Sequence, residues 1–423
     1  MENPLKIRMN VCKSWPCPNL GIADAADYSF PVYRLGYRAM ECMKCGGLPP
    51  LFDEKECNDW FAQLMKRKQG DTGIGCPHCY SLSLICYGRT QSGSTRFQCR
   101  DCKHVFTPKH LTQQHMAKIE QILFLLSLGH NTSDTEKYRS LAQAVNWYER
   151  NMYDPAEVIK NMATQIYSLS FQGKTAKQYL YIIVSTDVKS GRVLQITSNY
   201  CPWEAGDSLH YQSSRYPVAE ICDAEPVEQV QRREAEFMTR SQFDEIHYGS
   251  AEMKRNEQGS IVRPVIAMHG HFQRLKRRYP CVSHHYLAHE CVLRGAAITA
   301  WSSEVRSGKT HLWYVVEQAS KAIPPGTVFC HTGTWRIGWW DNIWQQWSTN
   351  ENSKVIGLLT GQKQIEDPSH ISLASADLFI NWVKAHPWWA NSGMLSAKVM
   401  SFQLICLAHL YNQHLFPLPE PAR

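Results

Sequence analysis

Cysteines are the residues of this chain best suited to chemistry. Cys76 and Cys79 form a Cys-x-x-Cys pair, 19 residues follow, and Cys99 and Cys102 form a second. Such a turn brings two thiolates onto one ion, and two turns at the tips of facing hairpins complete a tetrahedron. Four soft thiolates with no open position suit Zn²⁺. A second quartet precedes this one: Cys12-x4-Cys17, then 24 residues, then Cys42-x2-Cys45, with Pro, Asn and Gly following the pairs and Cys57 nearby as a competing ligand. Two structural zinc sites are therefore expected, against the plainer reading of small buried thiols. A chain with Cys-x-x-Cys pairs and no leader-like start argues against a disulfide scaffold.

The elements that must hold these ligands are short. "YSLSLICYGRTQSGSTRFQ" reads as two strands flanking a turn at residues 90–94, where Ser92-Gly93 is the turn signal. Arg89, Arg96, Arg100, Lys103, Lys109 and Lys118 gather on and after this hairpin against Asp101 and Glu120, so a rigid ribbon would offer a basic face to phosphates. A solvated surface on a protein-docking ribbon is the alternative.

"CPHC", the hairpin with "YGRTQSGSTRFQC", "CRDC" and "VFTP" together resemble the zinc ribbon that opens insertion-element transposases of the insertion-sequence-one type, and "CKSWPCPN" is similar to the lead-in of other transposases of that group. The specific likeness spans about residues 75–109. It implies double-stranded DNA as partner, a helix-turn-helix reader after the ribbon, and an RNase H-like domain whose acids hold Mg²⁺ where catalysis is retained.

Three helices are predicted after the ribbon. The first runs from Gln114 to Leu128, the second is marked by Tyr138, Leu141, Ala142 and Val145, and the third is capped at Asp154-Pro155 with Val158, Ile159, Met162 and Ile166 inward. They suit a helix-turn-helix unit or a plain helical linker. "QYLYIIVSTDVKSGRVLQITSNY" reads as two strands with Asp187 ending the first, the place for a first metal-binding carboxylate. "GAAITAW" reads as a third strand, "SGKTHLWYVVEQASKAI" as a helix, and "PPGTVFCHTGTW" as a fourth strand. That fourth strand ends at Cys330-His331-Thr332-Gly333 where the resemblance wants an Asp. Asp341 is the substitute for that second acid, and Asp377, near a helix start, is the candidate third acid, explained equally well by a capping or dipole role. "NSKVIGLL" and "SADLFINWVKAH" read as a strand and a helix. His285 and His289, with Glu290, sit four apart in an order unlike the zinc hydrolase motif. The tryptophans from Trp335 to Trp389 read as core or oligomer contact.

The composition is that of globular material, with 43% hydrophobic and 20% charged residues, and the +7 net charge leans toward a polyanionic partner. No stretch is apolar enough to span a membrane, so a cytoplasmic, nucleoid-associated protein of the bacterial type, forming a homo-oligomer, is expected. The expected fold is multidomain α+β: zinc ribbons at 1–58 and 59–112, a helix-turn-helix-like segment at 113–172, an RNase H-like α/β domain at 173–412 with an insertion over about 202–290, and a tail at 413–423. Because the second acid is displaced, DNA binding with catalysis weakened or lost is favoured over an active Mg²⁺-dependent strand-transfer enzyme using Asp187, Asp341 and Asp377. A zinc-stabilised interaction scaffold is the third reading.

Overall fold

The computed structural model of the chain describes residues 7–31, 39–49, 51–55, 57–58, 61, 76, 84–107, 113–130, 138, 141–142, 145, 158–172, 177–201, 224–239, 260–317, 327–338, 341–361, 365 and 367–415. It is mixed α/β.

Turn-forming residues keep the N-terminal elements short. β1 (Tyr28–Ser29) pairs antiparallel with β2 (Glu41–Cys42). β3 (Leu84–Arg89) and β4 (Thr95–Cys99) form the anticipated hairpin, and β5 (Val105–Phe106) adds to β4. Its turn closes where Gly93 N–H donates to Thr90 O at 2.9 Å, with Gly93 at φ +85°. α1 (Gln113–Ser127) follows and ends before Gly129, whose φ of +80° and position 2.5 Å from Pro387 for any added Cβ leave no room for another residue type.

The centre is an eight-stranded sheet. β6 (Asn161–Gln172), β7 (Lys177–Asp187) and β8 (Val193–Ser198) form an antiparallel meander, and the short pair β9 (Tyr200–Cys201) and β10 (Ser260–Ile261) lies outside it. After α2 (Pro226–Thr239) and α3 (Pro264–Arg278), β11 (His284–Ala288) returns parallel to the far side of β6. α4 (Cys291–Arg306) carries the chain over to β12 (His311–Glu317), parallel to β11. β13 (Cys330–Ile337), β14 (Asn342–Ser348) and β15 (Ser353–Leu358) extend the sheet antiparallel, giving the order β13-β14-β15-β12-β11-β6-β7-β8. α5 (Ala374–Ala385), α6 (Trp389–Ser392) and α7 (Ala397–Leu415) complete the chain.

Side-chain alternation along the strands builds a core on each face. Met162, Ile166, Ile183, Leu287, Leu312 and Trp344 pack with α2, α3 and α4, while Leu169, Phe171, Leu180, Ile182 and Val184 pack with α1, α5 and α7. The outer edge at β8 is stitched to α7: Asn412 accepts from Val193 N–H at 2.9 Å and donates to Val193 C=O at 3.0 Å. Trp344 and Trp388 are fully buried, as the core reading of the tryptophans expected.

Several expectations are corrected. Met162 and Ile166 of the expected third helix lie instead in β6, while its start at Asp154 and Pro155 falls outside the described residues, so the helical segment does not run to residue 172 and the sheet begins before residue 173. Residues four apart share a face in a helix and in a strand alike, so Met162 and Ile166 fit both patterns, and β-branched and aromatic neighbours such as Thr164, Tyr167 and Phe171 decide for the strand. "GAAITAW" lies in α4 and "HLWYVVE" in β12, the reverse of the expected types. The stretch 202–290 is not wholly an insertion, because α3 and β11 belong to the core. Tyr138, Leu141, Ala142 and Val145 are helical and buried as expected.

Candidate metal centres

The first centre grows from two turns. Cys17 N–H donates to Ser14 O and Gly21 N–H to Cys12 O, closing the loop that carries Cys12 and Cys17. Cys45 N–H and Gly46 N–H both donate to Cys42 O, forming the opposing knuckle. Tyr28 on β1 braces the two, accepting from Cys12 N–H at 2.9 Å and donating to Ile22 O at 2.6 Å. The ligand atoms of Cys12, Cys17, Cys42 and Cys45 all lie within 4.8 Å of one another.

The separations fit a tetrahedral ion. Cys12 Sγ is 3.6 Å from Cys45 Sγ, and Cys17 Sγ is 3.7 Å from Cys42 Sγ. Four sulfurs bonded at about 2.3 Å to zinc stand roughly 3.8 Å apart. Burial pushes the Cys12 thiol up and takes Cys17 to about 11, so holding these two as thiolates calls for a cation. Cys42 goes the other way: burial opposes ionisation, but bonds from the Lys44 backbone and the Asn19 amide outweigh it, and the net shift is downward. Cys57 is buried in the apolar cluster beside α3 and α4, away from this group.

The first centre is fastened to the sheet domain. Met9, Leu20, Phe52 and Phe61 share one apolar cluster with α3 and α4. Arg306 on α4 donates to Leu20 O at 3.2 Å, and Gly21, at φ +65°, presses so closely on α4 that an added Cβ would meet Ser302 Cβ at 2.0 Å.

The second centre comprises Cys76, Cys99 and Cys102, again within 4.8 Å, with Cys76 Sγ 3.4 Å from Cys102 Sγ. Cys79, its expected fourth ligand, lies outside the described residues. The knuckle closes through Cys99 N–H to His104 O and Lys103 N–H to Cys99 O, with Lys103 at φ +59°. Leu84, Phe97 and Phe106 make a small apolar cluster of its own around the cysteines. Arg89, Arg100 and Lys103 are exposed, and the half-exposed Arg96 sets its guanidinium 5.8 Å above the ring of Tyr87. Lys109 lies outside the described residues, and Lys118 falls on α1. Both donor sets are compatible with zinc: Cys12, Cys17, Cys42 and Cys45 would hold one ion with no open coordination position, and Cys76, Cys99 and Cys102 would contribute three ligands to a second.

The carboxylates are placed differently. Asp187 ends the second strand of the meander, not the first. It is buried and accepts from Ser190 N–H at 2.9 Å and Ser190 Oγ–H at 2.6 Å, a turn-closing role. Asp341 is exposed in the β13–β14 turn at φ +50° and pairs with Arg336 at 2.8 Å. Asp377 in α5 accepts from Tyr167 Oη–H at 2.8 Å, and burial pushes its carboxyl up to about 6. Asp187 pairs with Met162, five residues from Tyr167, so along β6 the two sites are about 17 Å apart. Five strand spacings, roughly 24 Å, separate β7 from β14. The three acids do not converge.

His285 and His289 lie on and just past β11. His285 packs on the Trp301 ring at 4.3 Å, while His289 Nε2 bonds Glu234 Oε1 at 2.8 Å. Among the described residues neither joins a metal-competent group of three. Sequence reasoning missed one buried polar network: His271 bonds Ser185 Oγ and Thr197 Oγ1, each at 2.8 Å, and Ser185 also bonds Thr164 Oγ1 at 2.6 Å. Its members come from α3 and three strands, so no local spacing announces it. No described helix is long and apolar enough to cross a membrane. The chain matches no protein-family model, no curated protein and no solved structure.

Proposed function

We propose that the chain is a transposase-like, zinc-ribbon protein that binds duplex DNA and has lost strand-transfer chemistry. The observation that carries this reading is the second ribbon: a thiolate cluster and small apolar cluster hold a hairpin on which Arg89, Arg100 and Lys103 face solvent. A stiff cationic tip of this kind engages phosphates with little ordering cost.

The strand order β8-β7-β6-β11-β12, a three-stranded meander followed by two parallel strands added beside its first member, supports an RNase H-like core. In such a core the chemistry needs carboxylates from the first strand. β6 reads "NMATQIYSLSFQ" and contains none. Tyr167 on β6 faces Asp377 with a neutral phenol, so Asp377 has no acid opposite it on that strand from which to share Mg²⁺. Loss of catalysis follows from this reading rather than from the displaced acid at residue 330.

Supercoiled DNA incubated with the zinc-loaded chain and Mg²⁺ or Mn²⁺ tests the proposal. The expected result is duplex binding without nicking. Nicking that disappears in Asp377→Asn would restore the active-enzyme reading, and negligible duplex binding at low salt would leave the interaction scaffold.

A further inference from the structure

We infer a second phosphate-binding face on the sheet domain, at the edge where the parallel strands begin, with the backbone of duplex DNA as its partner. The topology collects five cations there from four separate connections. Lys160 precedes β6, Lys189 lies in the β7–β8 turn, Arg278 ends α3 just before β11, Arg306 ends α4, and Lys309 precedes β12; all five are exposed. Backbone bonds lock these connections together: Ser283 N–H and His284 N–H donate to Lys160 O, His311 N–H donates to Ser283 O, and Val188 N–H donates to Asn161 O. The cations are thus mounted on the ends of hydrogen-bonded strands rather than on wandering loops.

The acids near this edge are already engaged. Asp187 is buried and closes its own turn, Glu304 is ion-paired with Lys276, and Asp341, two strands beyond β12, is paired with Arg336. Half-buried His284 and His311 lie side by side between the cations, with ring centroids 5.6 Å apart. At the other end of these strands acids and cations are mixed: Glu234 bonds His289, and Glu317 bonds Ser372 and lies 4.0 Å from the buried Lys354.

Dimensions match a duplex. Lys189 beside β7 and Lys309 beside β12 are separated by three strand spacings, about 14 Å, which spans about four phosphate rises of roughly 3.4 Å along one strand. The face goes beyond the ribbon contact but rests on the nucleic-acid reading, and one experiment separates them.

Fluorescence anisotropy of a labelled mixed-sequence duplex would be followed across a salt series with three zinc-loaded full-length chains. These are the wild type, the edge variant Lys160→Gln/Lys189→Gln/Arg278→Gln/Lys309→Gln, and the ribbon variant Arg89→Gln/Arg100→Gln/Lys103→Gln. Removing four phosphate contacts should make the slope of log affinity against log salt shallower by about 3.6 and weaken binding at least about tenfold at low salt. Lys160→Arg/Lys189→Arg should bind like the wild type. Should the quadruple variant melt early, Lys160→Gln/Lys189→Gln alone should give about half the slope change. An edge variant with wild-type slope beside a weakened ribbon variant would overturn this face and leave the DNA reading standing. A wild type that does not bind duplex would overturn both. Edge-dependent binding to phosphatidylserine vesicles, with duplex binding unchanged, would assign the face to lipid and overturn the proposal.

Discussion

The two cysteine centres have nearly the same ligands and different settings. Around Cys12, Cys17, Cys42 and Cys45 the chain continues into the apolar cluster of α3 and α4, with Leu20 fully buried there. Around Cys76, Cys99 and Cys102 the apolar cluster is local, and the hairpin turns its cations outward. The two cysteine clusters thus serve two ends: in one place the cluster completes a domain, in the other it stiffens a hairpin with its own small core. Ligand spacing specifies the cluster, while the side chains between the pairs specify what it is attached to.

The largest test of this contrast is ligand deletion. Cys42→Ala should remove one zinc ion and destabilise the sheet domain by on the order of 5 kcal/mol or more. Cys99→Ala should remove the other ion and abolish ribbon-dependent DNA binding while the sheet domain melts as before. Metal analysis with calorimetry reads both, and equal melting losses would erase the distinction.

Acid comes next. Burial pushes His271 well below the ordinary value of 6.5 and His285 to about 3, so both are neutral when folded. The unfolded chain binds more protons between those values, so their contribution is intact above pH 6.5 and is lost as pH falls from 6.5 toward 3. Denaturant melts across that window should show the sheet domain weakening even in His271→Gln only if His285 contributes by itself. A flat profile would remove both residues from the balance.

Smaller effects probe the attachment. Leu20→Ala should cost about 2–5 kcal/mol of sheet-domain stability, because it opens a cavity against α4. Gly21→Ala should cost about 1–3 kcal/mol through its positive φ and the Ser302 contact, and shortening Ser302 to Gly should recover part of that loss. Smallest is Arg89→Gln on the free ribbon, which should leave melting within about 0.5 kcal/mol and make the salt slope of DNA binding shallower by about 0.9. A melting change from Arg89→Gln would show the ribbon to be packed on the domain after all.

Legibility in the sequence followed how far each signal reaches. Cysteine spacing located seven of the eight ligands in two clusters because the turns are local. The β3–β4 hairpin, α1, β15 and α5 were readable from turn residues and period. β6 was not, because Met162 and Ile166, four apart, satisfy both periods. That one ambiguity moved Asp187 onto the wrong strand and made its acid role plausible. The α4 segment "GAAITAW" is too short to separate a strand from a helix by alternation. Asp377 meets Tyr167 across 210 residues, and no pattern along the chain encodes that meeting.

Asn412 gives the C-terminal helix a further role. Its carboxamide offers Val193 one acceptor and one donor, as the peptide group of a ninth strand would. That mimicry plugs one flank of the sheet against adhesion to foreign strands, so a change such as Asn412→Leu should first appear as stickiness between molecules, before any failure to fold.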